Sequence, residues 1–535
     1  MLLADAWSSM KTTSILTLIF NVLLSLLPFA VQAQRNDAAV VQLQKLNRVY
    51  RHLYTAYVDS VDMESMVESG IKAMLEELDP HSVYLDKKEV KSAQETMEGE
   101  FSGIGVEYNI LSDTIVVVNT VLQGPAESVG MMPNDRIVEI DGQSVIGIER
   151  ADVPPRLRGE KGSVVEVGVV RRGVNEVLHF SITRDKIPIT TVDAAYKIAD
   201  GIGYIKVNRF GRTTMQEFEE AVDGLGEINT LVLDLSNNGG GLLDQAGEMA
   251  GYFIPRDSLV VFTEGRSVEP RFYSARNGGR FTGRVAVMIN ESSASASEIV
   301  VGAIQDWDRG VIVGRESFGK GLVQSQIPLG DGTAIRLTVA RYHTPSGRVI
   351  QRPYEMGHKE EYRKAHIERL KAAGKDTTAL SGEVYSTRVL GREVYGGGGI
   401  RPDIIVESDT TMVSDYMVKV IAKSLYNDFM LDYLDRHRAK LEVDYPTYEK
   451  FEAEFRLSDD EMHSLVERAT AKGVEYDEAG YMQSRELMRT QLTALIAQRL
   501  FSTSEYYRYI NPRVSDTYRK VLELLNNWDG KLTNL

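Results

Sequence analysis

The sequence predicts a multidomain α/β protein: a layered α/β core with an inserted β-rich module and helical regions at both ends. Three observations carry this reading. Between residues 187 and 408 β-type runs alternate with helical ones, the pattern of a layered core. Residues 98–186 are short β-branched runs separated by Gly, Pro and Asp-Gly turns, which mark a small β-rich domain. In 36–97 and again in 409–535, apolar residues recur at steps of three and four, as amphipathic helices require.

The chain's 535 residues allow three or four domains at roughly 150 residues each. Acidic side chains outnumber basic ones 76 to 61, for a net charge of −15. That balance opposes a nucleic-acid partner, whose phosphates need a basic surface. With no cysteine, disulfides, thiolate nucleophiles and Cys-based zinc sites are excluded together. The eight histidines show no tight ligand spacing, so neither a metal nor a cofactor is expected.

Residues 15–27 are almost wholly apolar, follow Lys11, and lead through Pro28 to Val31-Gln32-Ala33, with small residues at −3 and −1 of a cleavage site. This predicts a signal peptide over 1–33. Asn21 and Pro28 shorten the run below the ~20 residues of a membrane span, so no stable span is expected after its removal. Asp5 is unusual in the leading stretch, which leaves Met10 as an alternative start to Met1. The expected location is the periplasm or cell envelope of a bacterium, where ATP and nicotinamide cofactors are scarce.

In the N-terminal helical region, Leu43, Leu46, Tyr50, Leu53 and Tyr57 form one stripe, and a second helical run over 63–78 ends at Asp79-Pro80. Packing support or pairing with a second copy are its expected uses, so a homo-oligomer through the helical ends is a possibility. Strands of the β-rich module are expected at 114–121, 136–140, 163–171 and 176–183. Core strands are expected at 203–207, 230–235, 285–289, 311–313 and 333–342, with helices over 242–253 and after Ser293. A segment dense in Lys, Arg and Glu, about 357–380, reads as a solvated helical insertion. Beyond it, Val418, Ile421, Leu425 and Phe429 open the C-terminal helices.

Three segments of the core could carry chemistry. The strand at 285–289 runs through Asn290 into Glu291-Ser292-Ser293-Ala294-Ser295-Ala296-Ser297-Glu298, so a serine sits at a strand-to-helix turn. Free N–H groups at the start of a helix can stabilise an oxyanion there. Ser295 and Glu298 equally satisfy a capping box. Next, Lys320 stands between Gly319 and Gly321 and precedes Leu322-Val323. The run nearly matches a phosphate-binding loop, but Gly321 replaces the hydroxyl that would hold magnesium. Desolvation would favour the neutral amine of such a lysine and let it act as a base. Gln324, four residues on, can share its face and orient it. Third, the strand at 231–235 ends in Gly239-Gly240-Gly241, where backbone N–H groups could approach a ligand or simply form a tight turn.

Together the segments resemble the carboxyl-terminal processing peptidases, or tail-specific proteases. The matching residues are Asp234 to Gly241, Ser293 to Glu298, Phe318 to Gln324, Tyr342 to Arg348, Gly398 to Asp403, and upstream Leu78 to Ser82 and Phe101 to Gly105. The resemblance implies a Clp protease/crotonase-like core and a Ser-Lys dyad serine endopeptidase: Ser295 as nucleophile, Lys320 as general base and Gln324 in support. It places oxyanion donors at the N–H of Ala296 and of Gly240 or Gly241. Where the family usually has Arg and Pro, this chain has Ser236 and Gly239.

The β-rich module is similar to a PDZ domain, with Gly124-Pro125-Ala126, Asn134 to Ile137 and Ile140-Asp141-Gly142 as its later signature. By that likeness the N–H groups of Gly103, Ile104 and Gly105 would bind a chain-terminal carboxylate, and the following strand would pair with the peptide. Protein or peptide substrates held by their C-terminus are therefore the expected partners. A catalytically silent PDZ adaptor or chaperone is the alternative, and a Ser-His-Asp hydrolase would need one of the eight histidines beside Ser295, with His343 the nearest downstream candidate.

Overall fold

The structure is a computed structural model that describes residues 38–111, 113–372 and 382–528. The leader expected over 1–33 lies outside the described residues. The described residues up to Leu75 and those from Glu76 onward form two compact units. The first contains a helix over 38–56, whose apolar stripe stays in solvent: Leu43 is 66 % exposed and Leu46 54 %.

The core of the second unit is a six-stranded sheet. Its order is Val192–Ala199, Gly201–Val207, Ile228–Asp234, Arg284–Ile289, Val311–Gly314 and Ile404–Ile405. The first pair is antiparallel and the rest are parallel. Its central strands are buried on both faces, which is why they read as continuous apolar runs. Alternate residues feed opposite layers. Leu231, Leu233, Val285 and Val287 pack under the helices Thr214–Leu225, Leu243–Phe253 and Ala296–Asp306, through Phe218, Met249, Phe253 and Val300. On the other face Val232, Ala286 and Val313 meet Tyr518, Val521 and Leu525 of the helix Asp516–Asn527. This is the layered α/β core that the sequence predicts.

An antiparallel sheet adjoins it: Val83–Leu85, Ala334–His343, Leu259–Gly265 and Val268–Ser274 in that order, with Leu322–Pro328 also on Ala334–His343. Val83–Leu85 corrects the purely helical reading of 36–97. Past Pro80, Val-Tyr-Leu is a short β-type run that finds its partner more than 240 residues downstream.

The β-rich module is a sheet ordered Val106–Leu111, Thr114–Thr120, Arg136–Ile140, Val164–Val170 and Leu178–Thr183, with Gln143–Ser144 on its third strand. Ile115, Val117, Ile137, Val167 and Ile182 fill its interior. Glu100–Gly103 and Asp185–Pro188 pair antiparallel, so the chain enters and leaves side by side, as an inserted module requires. The C-terminal helices gather around Phe429, Leu434, Phe451, Leu465, Met488 and Ile496. They also hold the module: Val118 joins their core, and Arg499 pairs with Glu107 at 2.7 Å. No helix among the described residues is long and apolar enough to cross a membrane.

The charged insertion is a helix, Lys359–Ala372, but not a merely solvated one. Lys359 and Tyr362 are buried. Lys359 Nζ donates to the Ser82 carbonyl at 2.8 Å, and the Arg369 guanidinium to the carbonyls of Glu316, Ser317 and Phe318 at 2.9–3.4 Å. Its inward face is cationic rather than apolar, so periodicity of hydrophobic residues did not reveal it.

Candidate active site

The strand Arg284–Ile289 delivers the chain to a turn that ends at Ser295, with the helix Ala296–Asp306 starting at the next residue. Ser295 has φ 55° and ψ −111°. For a residue with a Cβ this costs about 1–3 kcal/mol and persists only where its surroundings over-determine it. Those surroundings are specific. Ala294 N–H donates to the Asn238 carbonyl at 2.9 Å, Ser295 N–H to Glu298 Oε2 at 2.7 Å, and Tyr342 Oη–H to the Ser295 carbonyl at 3.2 Å. At the helix start the Ala296 N–H has no acceptor among the described residues.

The glycine-rich strand end packs directly on this turn. A Cβ on Gly240 would lie 2.7 Å from the Ala294 carbonyl oxygen and 2.8 Å from Ser295 Cβ, while one on Gly241 would lie 2.0 Å from the Phe210 carbonyl oxygen. The Gly240 N–H donates to Asn238 Oδ1 at 2.9 Å, whereas that of Gly241 meets no acceptor among the described residues. A Cβ at Gly239 would meet nothing within 4 Å, so this position does not demand glycine. Ser236 donates its N–H to Asp234 Oδ1 at 2.8 Å and accepts from Lys206 Nζ. Lys206 pairs with Asp234 at 3.2 Å, and Tyr204 donates to Asp234 Oδ2 at 2.6 Å. A buried ion pair thus fixes the strand end at the departures from the family pattern.

Glu298 ties this turn to the lysine loop. Besides Ser295 N–H, its carboxylate accepts from Ser317 Oγ at 2.5 Å, Gly319 N–H at 2.7 Å and Lys320 N–H at 2.9 Å. Burial pushes the Glu298 carboxyl up, and these four donors oppose that rise. Because all four partners donate, the pocket is built for an ionised acceptor.

The Lys320 ammonium donates to Gln324 Oε1 at 2.8 Å and has no ion-pair partner among the described residues. Burial first, and the Arg336 charge next, lower its pKa from the ordinary lysine value, with Glu298 and Asp79 opposing. The amide of Gln324 is in turn fixed by donating Nε2–H to the His81 carbonyl at 2.5 Å. The His81 imidazole is pushed down to about 4, by burial and then by the charge of Lys320.

Ser295, Lys320 and Gln324 line one cleft of about 670 Å³, together with Ala296, Gly240, Gly241, Arg336 and the apolar Phe210, Leu242, Leu243, Ile299 and Leu322. No hydrogen bond joins Ser295 to Lys320 among the described residues. His343 is elsewhere: it stacks on Phe262 at 4.5 Å, places Nδ1 3.1 Å from the Gly347 carbonyl, and faces Glu264 at 3.5 Å. No histidine among the described residues lines the cleft. Glu298, legible only as a capping residue, and the His81 carbonyl are the parts that sequence reasoning missed as members of the site.

In the β-rich module a smaller cavity, about 100 Å³, is lined by Gly103, Ile104, Gly105, Val106, Tyr108 and Leu157, among others. The N–H groups of Ile104 and Gly105 have no acceptor among the described residues, while Gly103 pairs with Asp185 in the tether. Among the described residues Val106–Leu111 is paired on one edge only, to Thr114–Thr120.

Residues 201–357 match the profile of peptidase family S41, 92–170 that of the PDZ domain, and 26–89 that of the N-terminal domain of the activating protease CtpB. Residues 416–502 match a family of unknown function. The carboxy-terminal processing protease CtpB of Bacillus subtilis is 35 % identical over 325 residues, covering 60 % of this chain and 68 % of its own. The carboxy-terminal-processing protease of Bartonella bacilliformis is 36 % identical over 317 residues, covering 58 % and 73 %. A solved structure of a photosystem II D1 C-terminal processing protease is 26 % identical with a TM-score of 0.33, covering 67 % of this chain and 86 % of its own.

Proposed function

The chain belongs to peptidase family S41, the carboxy-terminal processing proteases, and on that premise we infer that this serine peptidase works through Ser295 with Lys320 as general base. Neutral Lys320 takes the Ser295 Oγ proton as the oxygen attacks the substrate carbonyl, and returns it to the leaving amine. The developing oxyanion accepts from the Ala296 N–H and from that of Gly241, since the Gly240 N–H is committed to Asn238. Lys320 then directs water onto the acyl-enzyme. Closure of the gap between the two groups falls to substrate binding, because catalytic hydrogen bonds commonly tighten only in the complex.

The observation that carries this reading is the placement of a half-buried lysine, hydrogen-bonded to a neutral amide, in the same cleft as a strained serine at a helix start. In the PDZ domain, Ile104 and Gly105 offer free N–H groups to a terminal carboxylate, Gly103 shapes the turn, and Val106–Leu111 offers an open edge to the peptide. The substrates are accordingly protein tails bound by their C-terminus and cleaved internally. Export follows from the apolar run at 15–27, and the exposed Leu43 and Leu46 stripe fits pairing with a second copy. Hydrolysis of a fluorogenic tailed peptide by the wild type, with no turnover by Ser295→Ala or Lys320→Ala of intact fold, is the expected result; full activity in either variant refutes the assignment.

A further inference from the structure

The base does not stand alone on its loop. Two segments remote in sequence, Asp79–Ser82 and the helix Lys359–Ala372, converge on the pair Lys320–Gln324. Asp79 accepts from the His81 N–H at 3.0 Å, from Ser82 Oγ at 2.5 Å and from Thr338 Oγ1 at 2.9 Å, and Ser82 Oγ accepts from Thr338 N–H at 3.1 Å. This knot fixes the peptide whose carbonyl, on His81, receives the Gln324 amide. An amide held in that sense can present only its oxygen to Lys320.

Lys359 secures the knot from the other side. It is 3 % exposed, donates to the Ser82 carbonyl at 2.8 Å, and lies 3.7 Å from the Glu76 carboxylate. A buried ammonium is costly unless paired, so its presence under a helix that is otherwise mostly charged needs a reason. At the far end of that helix Arg369 gathers three successive carbonyls, of Glu316, Ser317 and Phe318, just before Gly319 and Lys320. Between them Tyr362 packs edge-on to His81 with ring centres 5.6 Å apart, and Arg352 lies 4.3 Å over the Tyr362 ring and 4.6 Å over Phe318. One helix therefore grips both the loop that carries Lys320 and the loop that orients Gln324.

We propose that the helix Lys359–Ala372 is a brace for the general base, with Lys359 a positioning residue that acts on Lys320 through the Ser82–His81 peptide and Gln324. The proposal rests on Lys320 being the base. Groups that face Lys320 are Arg336 from the strand Ala334–His343, Glu298 from the nucleophile helix, and Asp79 and His81 from the braced loop. Releasing the brace leaves those charges in the chain but lets the amide turn and water reach Nζ, which favours the ammonium.

The test is the pH dependence of kcat and kcat/KM on a tailed peptide for the full chain, in wild type, Lys359→Met, Lys359→Arg and Lys320→Ala, with thermal unfolding of each. The expected outcome for Lys359→Met is a kcat lower by about tenfold or more, KM within about twofold, and an acid limb moved to higher pH by about half a unit or more. Lys359→Arg, which keeps a cation on the Ser82 carbonyl, restores the limb. If Lys359→Met does not fold, Arg369→Met reads the same limb from the other end of the helix. An acid limb unmoved in the folded variant, whatever happens to kcat, overturns the brace while a dead Lys320→Ala keeps the base. An active Lys320→Ala overturns both.

Discussion

Lys320 Nζ gives its 2.8 Å hydrogen bond to a neutral partner, Gln324 Oε1, and meets no carboxylate at ion-pair distance among the described residues. A lysine so placed loses hydration without gaining a counter-charge. Burial and then the Arg336 charge shift its balance toward the neutral amine, the form a general base needs.

That arrangement has a cost in stability whose sign is fixed. The pKa of Lys320 is lower folded than unfolded, so the unfolded chain holds the proton more tightly. The penalty is fully present below the folded pKa and vanishes above the unfolded one. Lys320→Met therefore raises Tm at neutral pH while abolishing peptidase activity, and the gain in Tm over wild type shrinks as pH climbs toward the normal lysine value. Differential scanning calorimetry against pH checks this.

Arg336 lines the cleft and is the second cause, after burial, of the depressed lysine pKa. Arg336→Gln removes a like charge and lets Lys320 hold its proton more firmly. The acid limb of kcat/KM then moves to higher pH, with little change on the plateau. An unmoved or lowered limb would show that Arg336 does not sense the base.

Ser295 occupies a backbone conformation suited to glycine. Ser295→Gly relieves strain of about 1–3 kcal/mol, partly offset by the freedom glycine gains when unfolded. The expected variant is inactive and at least as stable as wild type by chemical denaturation, whereas Ser295→Ala is inactive without that relief.

Gly240 meets the Ser295 turn with no room for a methyl group. Gly240→Ala drives its Cβ against the Ala294 carbonyl and Ser295 Cβ, which displaces the serine and costs about 10²-fold in kcat/KM. Gly239→Ala, facing open space, leaves the rate within about twofold. Steady-state kinetics on the pair separate these outcomes.

The fold was legible where local pattern and layer agree. Leu231-Val232-Leu233 and Val285-Ala286-Val287 feed two buried layers, and apolar runs bounded by turns announce such strands. The serine turn and the glycine-flanked lysine were visible for the same reason: each is punctuated by a strand on one side and small residues on the other. Val83–Leu85 was not, because three residues have no period and their partner is far along the chain. The burial of Lys359 and the anchoring of Arg369 were equally hidden. Their partners are backbone carbonyls, which no side-chain pattern records. Glu298 could be read as a cap, but not as the carboxylate joining the Ser295 turn to the Lys320 loop, since Gly319 and Lys320 meet it only in the folded chain.

Catalysis through Ser295 requires a covalent step at one oxygen. Acid quenching during turnover of a slow peptide ester bearing a C-terminal tail, followed by intact-mass and peptide mapping, tests it directly. An acyl adduct on the peptide containing Ser295 is expected in the wild type and none in Lys320→Ala. An adduct on another residue, or equal acylation of Ser295 without Lys320, contradicts it.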